Sequence, residues 1–311
     1  MARRRTLYLP VMIAAAVLVA CAMALLVAIS EKAGAAFPGK NGRIAFQGTD
    51  GVIYTIDPIK SAGGGRTEVA SGEQPSFSSD GTKIAFAASD GNDAEIYTVD
   101  LATGGDPFPV TANDKDDLHP SYSPDGRRIA YTCSDGHDAE ICTISATGGK
   151  PFRLTRNARL DFGPSWSPGG TRIAYSGVSR TDWEVYTIGV RGGGRFNVTK
   201  NDAYDYYPDY SPNGKRIAYA ARGKKKGADT EIRTIKATGG RSFQLTDNRM
   251  EDLAPSYSPD GKRIAYTHYS DPGLRAKAAA IYKIAANGGR GALVTANGGK
   301  GALYPSWGSR P

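Results

Sequence analysis

Histidine and cysteine are scarce in this sequence, three of each in 311 residues. His119, His137 and His268 fall in three different structural settings and do not make the cluster of imidazoles that a metal-dependent lyase requires. No Gly-x-Ser-x-Gly motif occurs, which excludes the strand-to-helix elbow that presents a hydrolase serine. Aromatic residues make up only 9% and apolar residues 40%, an ordinary balance for a globular all-β chain. These absences lead to the expectation of a protein that is not an enzyme, with no cofactor and no metal.

What is present is repetition. Pro120-Ser121-Tyr122-Ser123-Pro124-Asp125 recurs with small variations, and the copies open at Pro75, Pro120, Pro164, Pro208, Pro255 and Pro305, 44 to 50 residues apart. That period marks propeller blades. In the copy at Pro120, four short extended runs are separated by Pro124-Asp125-Gly126, by Ser134-Asp135-Gly136-His137-Asp138 and by Gly148-Gly149, so each unit predicts a four-stranded antiparallel meander. On the second strand, alternation puts Ile and the aromatic on one face and alanine on the other. Ala45, Ala85, Ala130, Ala174, Ala218 and Ala265 are then the positions where neighbouring sheets approach most closely.

One such sheet cannot bury both faces, so the array must close on itself. The first unit, Arg43 to Phe46 with Ile53 to Ile56, lacks a preceding Pro-Ser-aromatic strand, and Tyr304-Pro305-Ser306-Trp307 is such a strand with nothing after it. The expected fold is therefore an all-β, six-bladed propeller of four-stranded antiparallel blades, spanning residues 36–311 and closed by pairing of the C-terminal strand with the first blade. Residues 1–35 precede it as a hydrophobic export helix, a signal peptide or membrane anchor. Arg3-Arg4-Arg5 leads into an uncharged, mostly apolar run from Leu7 to Ile29, followed by Ala33-Gly34-Ala35. Cleavage, retention as a single span, and lipidation at Cys21 within Leu18-Val19-Ala20-Cys21 all stay open, and each places the propeller outside the cytoplasm: periplasmic, cell-surface or secreted. Cys133 and Cys142 should face each other across a hairpin in a compartment that permits a disulfide. The formal charge of +8 falls to about +5 without the first 35 residues, too modest an excess for a nucleic-acid partner.

The motif Pro-Ser-Tyr-Ser-Pro-Asp-Gly-x-Arg-Ile-Ala-Tyr, with the following Glu-Ile-x-Thr-Ile and Gly-Gly-x-x-x-x-Leu-Thr, resembles the WD40-like PD40 repeat of the TolB-type propeller family from Phe37 to Gly308. The resemblance implies a monomeric propeller that binds an envelope or extracellular protein or peptide, as the periplasmic namesake binds the peptidoglycan-associated lipoprotein. That namesake carries an α/β domain before its propeller, whereas here the export segment runs directly into Gly42-Arg43-Ile44. Similar blades also occur beside the catalytic domain of prolyl oligopeptidases, for which the 56 residues after Pro255 leave no room, and in an oligogalacturonate lyase.

Three residues before the opening proline, four blades carry a carboxylate: Asp117, Asp161, Asp205 and Asp252. Placed in the loop entering the innermost strand, they would form an arc around one mouth of the channel, able to hold a cation or the amides of an inserted peptide. The plainer alternative is that each caps its own turn. The residues just before proline vary, and His119, expected at the surface, and Tyr207 join the candidate partner-binding set on that ground. Asp116, Trp183, Tyr204 and Tyr206 would extend it into an aromatic and acidic surface, unless Trp183 merely fills a gap between blades. Asp93 with Glu95, Asp138 with Glu140, Asp182 with Glu184 and Asp229 with Glu231 precede the third strand and are best explained by turn formation and edge solvation. Arg222, Lys224, Lys225 and Lys226 make the densest basic loop, a solvated one unless it touches anionic lipid, glycan or a partner. The leading expectation is a non-catalytic, exported interaction module; the rival is a carbohydrate-active or hydrolytic propeller using the mouth carboxylates.

Overall fold

The computed structural model describes residues 37–58, 65–180, 182–225, 227–271, 278–295 and 301–310. The N-terminal segment on which the export reading falls, Cys21 included, lies outside these residues, as does Lys226. Among the described residues there are six antiparallel sheets of four strands each and no α-helix. Five blades are read straight off the chain, and the sixth joins its two ends: the inner strand Ala302–Ser309 pairs with Asn41–Gly48, which pairs with Val52–Ile56 and then Thr67–Ser71. This last sheet is called blade 1. Blades 2 to 6 follow with inner strands Glu73–Phe77, Asp117–Tyr122, Asp161–Trp166, Tyr204–Tyr210 and Asp252–Tyr257, each packed beside the next, and the closing strand returns the ring to its start.

The core lies between the blades. The second-strand isoleucines Ile44, Ile84, Ile129, Ile173, Ile217 and Ile264 are fully buried, as are the six alanines that follow them. First-strand aromatics fill the same seams, and Trp166 also donates its Nε1 hydrogen to the Ser121 carbonyl of the preceding blade at 3.1 Å. Each such side chain removed from water contributes about 1.5–3 kcal/mol. The Ser-Pro-Asp-Gly turns are held by their own side chains: Ser123 Oγ donates to Asp125 at 2.6 Å and accepts the Arg128 N–H at 2.9 Å, while Gly126 takes φ 69°. The Leu-Thr pair of each unit has a similar task, for the Thr155 hydroxyl accepts the N–H of Ile141 at 2.9 Å and ties the short outer edge to the third strand.

Every inner strand carries a bulge that alternation does not reveal. Register slips between Leu118 and Ser121 in blade 3, and likewise in the other five. The extra residue is the one before proline: Gln74, His119, Gly163, Tyr207, Ala254 and Tyr304 all have φ between 50° and 64°. Proline bars its predecessor from the right-handed helical region and needs no ladder partner itself, which makes this the natural site of a left-handed bulge. The freed N–H groups reach across the blade seam, as Tyr207 does to Ser176 Oγ at 3.0 Å and His119 to Gln74 Oε1 at 2.8 Å.

Cys133 and Cys142 are joined by a disulfide, but not as directly opposed residues. Cys133 stands across from Glu140 and Cys142 across from Tyr131, so the bridge runs diagonally, two residues out of register.

At the ring closure Gly42 is pressed against the last strand. A Cβ there would lie 2.3 Å from the Ser309 carbonyl oxygen, backbone that no rotamer can move aside. Gly42→Ala should therefore cost about 1–3 kcal/mol in urea unfolding, whereas Gly65→Ala, where a Cβ meets nothing within 4 Å, should not lower the midpoint. Equal midpoints for the two variants would refute this reading of the closure.

Candidate functional site

The face of the ring that carries the inter-blade loops holds the sequence candidates. The four aspartates do not sit in the loop. Asp117, Asp161 and Asp252 are the first residues of their inner strands and Asp205 the second, and all four are buried. An asparagine four residues earlier covers each: Asn113, Asn157, Asn201 and Asn248 donate from Nδ2 to Asp117, Asp161, Asp205 and Asp252 at 2.6–2.8 Å. The same asparagines donate their backbone N–H to Glu95, Glu140, Glu184 and Glu231 of the preceding blade's third strand. The carboxylates thus form a clasp repeated from blade to blade, which accounts for the strand-opening aspartates and for the glutamate of each Asp and Glu pair. Sequence reasoning missed the asparagines, although their fixed offset before each aspartate was there to be found.

Burial sets the electrostatics of this layer. It pushes Asp117, Asp161 and Asp205 each up to about 7, against the pull of the asparagine hydrogen bonds, and Glu231 likewise to about 7. Asp252 has a second partner besides Asn248, His268 Nδ1 at 2.6 Å.

His119 is only 2% exposed, which corrects the expectation of a surface residue. The left-handed turn before Pro120 folds its side chain inward, where Nδ1 lies 3.2 Å from Thr132 Oγ1 and the ring packs 5.8 Å from that of Phe162. Phe162 was not a sequence candidate, yet it is central. Its ring meets Tyr207 at 5.5 Å and Trp183 edge-on at 4.9 Å. From there Trp183 contacts Tyr206 at 6.1 Å, Tyr206 stacks on Tyr204 at 6.5 Å, and Lys224 Nζ stands 5.8 Å from the Tyr204 ring. An unbroken line of rings spans blades 3, 4 and 5, buried at His119, Phe162 and Tyr207 and half-exposed at Trp183, Tyr204 and Tyr206. Trp183 does fill a seam, and it also presents a face to solvent. Lys224 pairs with Asp182 of blade 4 at 2.8 Å, so part of the basic loop serves as a cross-blade contact. Asp116 remains exposed at blade 2, accepting the Ala94 N–H at 3.0 Å.

Residues 159–310, the last three blades with the closing strand, match the family model described as the TolB beta propeller domain. That match covers just under half of the chain, and over it the repeats are similar to those of the TolB propeller family. TolB from Acinetobacter baumannii superposes with a TM-score of 0.73 over 87% of this chain and 68% of that one, at 22% identity. The propeller in a nidogen/laminin complex gives 0.70 over 85% and 97%, at 13% identity, and an oligogalacturonate lyase in complex with manganese gives 0.52 over 80% and 72%, at 15%. At such identities the likeness is one of fold, and fold does not carry function. No curated protein sequence matches the chain.

Proposed function

We propose that this propeller is an exported, non-catalytic binding module that takes a protein or peptide segment on the face bearing the aromatic line. One observation carries the reading: Trp183, Tyr204 and Tyr206 are half-exposed rings anchored on the buried rings of Phe162, Tyr207 and His119. Rigid, partly exposed aromatics are the commonest hot spots of protein interfaces, because they bury much area at little entropic cost. Asp117, Asp161, Asp205 and Asp252 support the rim from beneath. Their engagement in asparagine clasps speaks against their acting as a general acid and base pair. The exported compartment rests on the basic and apolar character of residues 1–35.

The full-length protein, immobilised and exposed to an envelope extract, should retain a specific partner. Trp183→Ala with Tyr206→Ala should weaken retention by tenfold or more, on the order of 2 kcal/mol or above, while leaving the thermal transition cooperative. Retention unchanged in that folded variant, or metal-dependent turnover of a polysaccharide panel by the wild type, would overturn the proposal.

A further inference from the structure

In a four-stranded meander the first and third turns lie at one end of the blade, and the second turn and the connection to the next blade lie at the other. The aromatic line occupies the second end. At the first end, blades 3 to 6 turn at 123–128, 167–172, 211–216 and 258–263, and again at 145–151, 189–195, 236–242 and 285–291. These eight segments hold thirteen lysines and arginines against two aspartates, whereas the loops at the opposite end mix both signs, as in Lys200 with Asp202 and Arg249 with Glu251. Arg127, Lys215 and Lys262 in the first turns and Lys150, Arg191 and Arg241 in the third are all exposed. None of the six has an ion-pair partner among the described residues.

Apolar surface meets this charge at the rim. The exposed large hydrophobic side chains among the described residues are Phe108, Phe152, Phe196 and Phe243, 42 to 51% exposed, and all four open the short outer strand directly after a third turn. The neighbouring blade fixes their position: Phe196 lies over Gly239 and Phe243 over Gly288, where an added Cβ would stand 3.4 and 3.5 Å from the ring. In blades 3 to 5 a cation stands one or two residues before the phenylalanine, namely Lys150, Arg195 and Arg241. Between blades 4 and 5 this end opens into a groove of about 600 Å³, with Arg172, Phe196 and Tyr210 in its walls. Blade 2 differs, for Asp100 and Asp106 flank its third turn ahead of Phe108. The chain also enters the ring at the basic end. Gly39 donates its N–H to the Pro259 carbonyl in the first turn of blade 6 at 3.2 Å, and Asn41 Oδ1 accepts the Asp260 N–H at 3.1 Å. Only seven residues separate Phe37 from the apolar run that ends at Ile29, a connection whose reach is at most about 30 Å.

We propose that the basic end of blades 3 to 6 is a docking surface for an anionic lipid bilayer, which the phenylalanines of blades 3 to 5 enter at headgroup depth. Clustered lysine and arginine are drawn to anionic headgroups, and aromatic rings set among them add apolar area that the acyl boundary buries. A soluble polyanion would satisfy the charge and leave the rings in water, so the rings and the apolar run just upstream favour lipid. Docking at this end turns the aromatic line away from the bilayer, and the inference does not depend on what that line binds.

The test uses the full-length chain carrying Phe243→Trp, reconstituted into vesicles of phosphatidylcholine with brominated acyl chains, with or without phosphatidylglycerol as a third of the lipid. The N-terminal segment is common to both samples, so their difference reads the docking end. Relative to the wild type, emission from the added tryptophan should be quenched in the anionic vesicles at 0.1 M salt and recover at 1 M, where the screening length falls from about 10 Å to about 3 Å. In neutral vesicles it should stay unquenched. Phe108→Trp, beside Asp100 and Asp106, should be unquenched in both. Arg191→Gln with Lys215→Gln and Arg241→Gln should lower the ratio of docked to free ring on the order of a hundredfold, at about fivefold per cation, and leave the thermal transition in place because all three side chains are exposed. Equal quenching in neutral and anionic vesicles, equal quenching at positions 108 and 243, or quenching that survives the triple substitution would overturn the proposal. Heparin binding at this end without any quenching by anionic vesicles would overturn it too, and would mark a site for a soluble polyanion instead.

Discussion

A chain ended after Gly301 is expected to lose its cooperative unfolding transition altogether. The closing strand Ala302–Ser309 is buried along its whole length and is fixed on both sides. Trp307 donates its N–H to Ser256 Oγ of blade 6 at 3.1 Å, the Phe77 N–H of blade 2 reaches Ser306 Oγ at 3.0 Å, and the Tyr304 N–H reaches Thr267 Oγ1 at 3.0 Å. Without it the edge of Asn41–Gly48 is bare, and the cluster of Ile44, Phe46, Ile281 and Val294 loses the Trp307 ring. Removing a buried tryptophan side chain alone costs about 3–5 kcal/mol, and a whole domain is stable by only about 5–15. Trp307→Ala should thus survive as a weakened fold, and the truncated chain should not. Calorimetry and near-UV circular dichroism check both; a truncated protein that still melts in one sharp transition would mean the ring does not depend on this strand.

Stability should also rise as the pH falls from 8 to 5. Asp117, Asp161, Asp205 and Glu231 have folded values of about 7, above those of an unfolded chain, so the native state binds more protons than the unfolded state between roughly pH 4 and 7. Stability is then gained on acidification through that window and lost as the pH climbs through 7, by up to about 1.4 kcal/mol per pH unit for each group. Groups shifted the other way act elsewhere. The Ser123 hydroxyl holds Asp125 below the ordinary carboxylate range, and backbone N–H groups with Arg153 hold Asp135 below it, so their contributions vanish only below about pH 4. The melting temperature should accordingly peak near pH 5. Asp161→Asn with Asp205→Asn should flatten the decline between pH 5 and 8, and a wild-type melting temperature that is flat or rising over that interval would refute the assignment.

The fold was legible because one period governs the chain and because its two ends are complementary fragments of one unit. Arg43 to Phe46 lacks a partner strand, Tyr304 to Trp307 lacks the rest of a blade, and their pairing needs no long-range information beyond the repeat. The candidate site was legible in part. Trp183, Tyr204 and Tyr206 stood out as departures from the repeat, but Phe162 did not, since one apolar residue on a strand is indistinguishable from core until the strand that opens at Trp183 is placed against it. The depth of His119 escaped for a related reason. Period-two alternation assumes a regular strand, and a single left-handed residue before proline reverses the side chain's direction. The acidic arc was placed too far out because the sequence gives spacing along the chain and not the asparagine that closes over each carboxylate.

The left-handed bulge before each proline bears on how such a ring changes over evolutionary time. Glycine relieves backbone strain at that point, yet only blade 4 uses it; the other five accept glutamine, histidine, alanine and two tyrosines. Because the bulged residue stands outside the ladder, its side chain can be exchanged without shifting any strand. The scaffold therefore offers six addresses around one axis where side chains differ while the ladders keep their register, and an exchange at one is felt by its neighbour only where the two touch, as Gln74 touches His119.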